Sequence, residues 1–158
     1  MWNKIKPYII SILIALGVGG LSALLTRDNM DIYSRIVMPP LAPPGFLFPI
    51  VWTVLYTLMG ISSARIYLEG KEDNKLAADA LKVYALQLAL NFFWSIIFFN
   101  LEAFLFAFIW ILLLWVLIII MIRKFNAIDP LAAWLQIPYF LWVTFAAYLN
   151  LTIYILNS

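Results

Sequence analysis

Apolar residues run along this chain in stretches of about 18 or more, the length at which a helix rising 1.5 Å per residue crosses a hydrocarbon core roughly 30 Å thick. Five such stretches stand out, at about 8–25, 46–67, 81–99, 103–122 and 131–155. The first ends at the polar cluster Arg27, Asp28, Asn29 and Asp31, and the second at Glu69, Gly70, Lys71, Glu72 and Asp73. A short joint at 100–102 parts the third from the fourth, which stops at Arg123 and Lys124, and Pro130 opens the fifth in a position a helix start tolerates. The pattern predicts an all-α fold, an integral membrane bundle of five transmembrane helices forming one domain over residues 1–158. Lys4 and Lys6 before the first stretch give it the look of a secretory signal, but its apolar length is long for that role.

Lys and Arg gather on the cytoplasmic side of membrane helices. Lys4, Lys6, Arg65, Lys71, Lys75, Lys82, Arg123 and Lys124 fall on one side and Arg27 and Arg35 on the other, which predicts a cell-membrane protein with its N-terminus inside. The loop between the first two spans then faces outward.

Composition agrees with a bilayer as solvent. Hydrophobic residues make up 66% of the 158 and charged ones 11%, with a mean hydropathy of +1.00, against about 45–50% and about 25% in soluble domains. Disorder, coiled coil and collagen are excluded with the soluble class. A net charge of +2 gives no basic surface for a phosphate backbone, so nucleic acid is not an expected partner. The chain has no Cys and no His, which removes thiolate nucleophiles, Ser-His-Asp triads, His-ligated haem and the common metal sites; no metal and no required cofactor are expected. Charged residues deep in a span mark ion paths, and here none sits at mid-span, so the machinery of a proton-coupled carrier or selective channel is missing. Five spans do not divide into the paired repeats of secondary transporters; passive or oligomeric transport stays open.

Polar and aromatic residues inside the spans carry the candidate chemistry. Gln87, Asn91 and Ser95 follow at steps of four on one face of the third span, with Trp94 beside them. Two readings stand: hydrogen bonding between helices, or the polar wall of a ligand cavity. Trp52, Tyr56 and Ser63 lie near one face of the second span, and Pro138, Trp142, Ala146 and Asn150 recur at steps of four on the fifth. Trp52 and Trp142 are the better pocket candidates, whereas Trp2, Trp110, Trp115 and Trp134 fit an interfacial belt. Pro138 inside a helical run predicts a kink beside a cavity. Small residues at Ser11, Ala15, Gly19 and Ala23 on the first span, and Ala85 and Ala89 on the third, allow close helix approach within the chain or across a homodimer. Between the first two spans, Pro39, Pro40, Pro43 and Pro44 make an extended, low-entropy connection, a spacer or a rigid rim over an opening.

The ordered motifs Pro43-Pro44-Gly45, Val51-Trp52-Thr53-Val54-Leu55-Tyr56-Thr57-Leu58-Met59-Gly60, Leu90-Asn91-Phe92-Phe93-Trp94-Ser95 and the run from Pro138 to Asn150 resemble the TspO/MBR family of translocator and tryptophan-rich sensory proteins. The resemblance covers about residues 33–157. It implies a five-helix bundle with a pocket that opens toward the first loop and takes porphyrins such as protoporphyrin IX, and in some members other apolar ligands. It places Trp52, Tyr56, Asn91, Trp94, Ser95, Trp142 and Ala146 in the wall, and Tyr33 and Pro44 at the loop; Pro138 joins the set from the face analysis. Leu41 stands where the family has a loop tryptophan, which removes one stacking surface. The partners expected are a tetrapyrrole or other apolar small molecule, the lipid bilayer and, for the small-residue stripes, a second copy.

The leading functional reading is therefore binding of a tetrapyrrole within the membrane for sensing, regulation or transport. One alternative is light- and oxygen-dependent porphyrin degradation, with Trp52 and Trp142 as its redox-active residues and no conventional catalytic pair. The other is an assembly protein whose pocket is vestigial.

Overall fold

The structure is a computed structural model that describes residues 1–29, 31–70 and 74–158. Of the residues singled out above, Lys71, Glu72, Asp73 and the side chain of Tyr33 lie outside the described residues. In chain order the helices are α1 (Trp2–Thr26), the single turn α2 (Ile32–Arg35), α3 (Leu47–Glu69), α4 (Asn74–Ser95), α5 (Phe104–Ile128), the short α6 (Pro130–Leu135) and α7 (Ile137–Asn157). A π-helical turn, Ile96–Asn100, prolongs α4. There is no strand among the described residues, and five helical segments are long and apolar enough to cross a membrane.

The five spans lie where the hydrophobic runs put them, but helix and hydrophobic run do not end together. α1 starts at Trp2 and so includes Lys4 and Lys6, and α5 continues through Arg123 and Lys124 to Ile128. Lys and Arg are good helix formers whose long stems let the charge reach water, so a helix can outlast the hydrocarbon it crosses.

The last span differs from the expected kink at Pro138. It breaks two residues earlier, at Gln136, which caps both α6 and α7. In an unbroken helix residue 138 would donate to the carbonyl of Trp134; proline has no N–H to donate, and its ring would press on that carbonyl. The chain interrupts the turn before the proline instead, with the Gln136 N–H turned to Ala133 O and the Gln136 carbonyl accepting from Phe140 N–H. Pro138 thereby falls in the first turn of α7, where a missing donor leaves nothing unmade.

Around the bundle α1 packs on α3 and α4, α5 on α4 and α7, and α6 on α3 and α5, closing a ring. Lipid is as apolar as the side chains, so close packing and interhelical hydrogen bonds hold such a ring together. α1 and α3 approach backbone to backbone. A Cβ at Gly60 would stand 2.5 Å from Ile12 Cα and 2.8 Å from its nitrogen, and one at Gly19 would strike the ring of Tyr56. Half of the first span's small stripe, Ala15 and Gly19, is thus spent inside the chain. At the other seam, Asp129 caps α6 by accepting from Leu131 N–H and pairs with Arg65 of α3, and the buried Ser62 hydroxyl donates to Ala132 O at 2.7 Å. These bonds draw α6 onto one end of α3. Beyond the break, α7 leans on α5 and meets α3 through aromatic rings, which leaves a space between them.

Candidate functional site

That space is a cavity of about 370 Å³ in the half of the bundle next to the loop joining α1 and α3. α3 contributes Phe48, Pro49, Trp52 and Tyr56, with Gly45 just ahead of it; α4 and its π turn contribute Trp94, Ser95 and Phe99; α7 contributes Trp142 and Ala146; and α1 contributes Gly19, Ser22, Ala23 and Thr26. None of these is charged. The rings form a cage: Trp52 and Trp142 meet edge to face with centroids 6.5 Å apart at 90°, Phe48 stands 5.7 Å from Trp142, and Trp52 leans over Tyr56 at 5.4 Å. Such edge-to-face and tilted contacts suit the quadrupoles of the rings and hold each ring to one orientation.

Trp94 is fixed differently. Its indole N–H donates to Asn150 Oδ1 at 3.0 Å, while Asn150 Nδ2 donates to Phe104 O at 2.8 Å, so one buried amide ties α4, α5 and α7 behind the cavity wall. No hydrogen bond among the described residues engages the indole N–H of Trp52 or Trp142, or the Ser95 hydroxyl, which leaves donors for the edge of a ligand. Asn150→Leu is expected to lower stability by about 1–2 kcal/mol, since it orphans a buried indole N–H, a loss at or above that of two average membrane hydrogen bonds at about 0.6 kcal/mol each. In a Trp94→Phe background the same change loses only the bond to Phe104 O and should cost less, and a denaturation cycle of the four proteins in mixed micelles that showed no such coupling would refute the role of the Trp94–Asn150 bond.

The polar stripe of the third span divides between its two readings. Ser95 lines the cavity, whereas Asn91 and Gln87 lie deeper: Asn91 Nδ2 donates to the Tyr139 hydroxyl at 3.1 Å, and that hydroxyl donates to Gln87 Oε1 at 2.7 Å. The structure therefore brings Trp52, Tyr56, Trp94, Ser95, Trp142 and Ala146 to one cavity, and places Asn91, Pro44 and Pro138 outside its lining, the two prolines exposed. The four residues of α1, with Gly45, Phe48, Pro49 and Phe99, are not among the residues the sequence predicts. Gly19 and Ala23 belong to the small-residue stripe, whose size reads as packing alone, though small residues also leave room for a void.

Over the same end of the bundle the loop is fastened at several points. Asn157 Oδ1 accepts from Val37 N–H at 2.9 Å and Asn157 Nδ2 donates to Val37 O at 3.0 Å, while the Tyr148 hydroxyl donates to Pro40 O at 2.7 Å. Arg35 reaches Glu102 at 3.5 Å, and Asn29 donates to Asn100 Oδ1 at 2.7 Å. Leu41, with φ of 70° and 82% exposed, points no ring at the cavity and has no share in its lining.

These features define a multi-pass helical membrane protein with an uncharged, aromatic-walled cavity in one half of its bundle. Its lineage is equally plain: the TspO/MBR family's sequence profile matches residues 10–156, and the chain belongs to that family. It is 36% identical over 148 residues to the tryptophan-rich protein TspO of Chlorobaculum tepidum, covering 94% of this chain and 92% of that one. The TspO of Archaeoglobus fulgidus is 34% identical over 98% of this chain and 99% of its own. The sheep translocator protein is 36% identical over 75% of this chain and 70% of its own.

Proposed function

We propose that the cavity binds a flat, apolar tetrapyrrole such as protoporphyrin IX, as a sensing, regulatory or transport step in a membrane whose cytoplasmic face carries the N-terminus. The observation that carries this reading is the Trp52, Trp142, Phe48 and Tyr56 cage around an uncharged space of about 370 Å³, within the usual range for small-molecule sites. Ring faces suit a macrocycle by area and by stacking. The free indole and hydroxyl donors suit its polar edge. An ionised carboxylate is costly to bury without a partner, and with no cation in the wall the propionates of a bound porphyrin stay at the opening. The family assignment supports the same ligand class.

Titrating purified protein with protoporphyrin IX in the dark, with tryptophan fluorescence as the readout, tests this. Saturable quenching at one ligand per chain is expected. Quenching that rises linearly, as in free tryptophan mixed with the same detergent, would mean partition into the micelle and would end the proposal.

A further inference from the structure

We infer that the ligand enters the cavity sideways from the lipid, through a portal between α1 and the start of α3, while the outer loop stays shut. The inference rests on the reading that the cavity holds a membrane-soluble ligand.

The exposed parts of the wall locate the portal. Among the lining residues Ser22, Thr26, Tyr56, Trp94 and Phe99 are buried, whereas Ala23, Gly45 and Pro49 are exposed. All three exposed residues belong to two adjoining stretches, one on α1 and one at the entry to α3, so the wall is open there. They are small or compact, and a Cβ added at Gly45 would meet no atom within 4 Å. The residues beside them are large, apolar and outward-facing: Leu24 is 55% exposed, Phe46 70% and Ile50 57%. On a membrane-spanning helix such a surface faces acyl chains, so an opening framed by it gives onto hydrocarbon.

The route through the loop is obstructed by comparison. To lift the loop, the paired bonds between Val37 and Asn157, the bond from Tyr148 to Pro40 and the ion pair between Arg35 and Glu102 must all give way. Passage between Ala23 and Pro49 breaks none of them. A molecule apolar enough to prefer this cavity is also concentrated in the bilayer, so the side opening lies where the ligand already is.

Two variants in lipid vesicles separate the routes, with stopped-flow tryptophan quenching by protoporphyrin IX as the readout. Ile50→Trp, at a residue that frames the opening but is outside the cavity lining, narrows the portal; because entry and exit share it, association and dissociation should both slow by about tenfold while Kd moves by less than about threefold. A change of affinity alone would instead show mainly in dissociation. Since the chain has no cysteine, Val37→Cys with Asn157→Cys gives a unique pair that a short bismaleimide can join, and this cross-link should leave both rates within about twofold of the unjoined protein. Association slowed tenfold by the cross-link, or unchanged in Ile50→Trp, would overturn the lateral route. Absence of saturable quenching in the parent protein would overturn the ligand reading itself.

Discussion

Gly60→Val is expected to destabilise the bundle by about 3 kcal/mol, the upper end of what overpacking a well-filled site brings. The reason lies in what the new side chain meets. At 2.5 Å from Ile12 Cα and 2.8 Å from Ile12 N, its first carbon would collide with backbone, which no rotamer change can move aside. α1 would have to withdraw from α3, and with it the contact of Gly19 with Tyr56 would loosen. Gly20→Val supplies the control, because a Cβ there meets nothing within 4 Å, and it should fall close to the parent. The comparison is made by unfolding in mixed micelles of increasing SDS fraction, followed by far-UV and tryptophan signals. Equal midpoints for Gly60→Val and Gly20→Val would show that the α1–α3 seam tolerates separation.

Trp142→Leu should weaken protoporphyrin IX binding at least about tenfold, equivalent to about 1.4 kcal/mol. Trp142 touches Trp52 and Phe48 edge-on, so its removal deletes one wall of the cage and unpins two others. Aromatic contacts of this kind contribute about 0.5–1.5 kcal/mol each beyond area burial, and the ligand loses its own stacking partner as well. Trp134→Leu is the matched control: Trp134 is 70% exposed and outside the lining, so it removes one fluorophore without touching the cavity. Binding isotherms read from porphyrin absorbance avoid the lost fluorescence. If the two variants bind alike, the Trp52–Trp142 cage is not where the macrocycle sits.

Span number and position were legible in the sequence because a bilayer imposes one coarse demand, a long apolar run, on every crossing helix. Helix ends were not, since Lys4, Lys6, Arg123 and Lys124 interrupt hydropathy without interrupting hydrogen bonding along the helix. The break of the last span was foreshadowed by Pro138, but a proline acts on the turn before it, and the displaced residue was Gln136. In the site, spacing of four put Trp52 near Tyr56 and Trp142 near Ala146, and the family motifs named the same residues. What periodicity could not resolve was depth along a shared face: Gln87, Asn91 and Ser95 look equivalent at steps of four, yet two are committed to Tyr139 and one faces the void. α1 was missed as a wall because Gly19 and Ala23 carry no polar or aromatic group that a sequence can advertise, and Ser22 and Thr26 fall off the stripe whose small size reads as packing. Its contribution is the space they leave.

The bond between Val37 and Asn157 joins residues 120 positions apart. During synthesis the first loop leaves the ribosome long before its anchor exists, and α1 and α3 can settle against each other while that loop still hangs loose. It can be fastened only once α7 has entered the membrane and its final turn has come to the side of the bundle where that loop lies. Closure of this end is therefore one of the last events in the protein's assembly, and a nascent chain passes through a stage in which the aromatic hollow has only part of its wall and no strap above it.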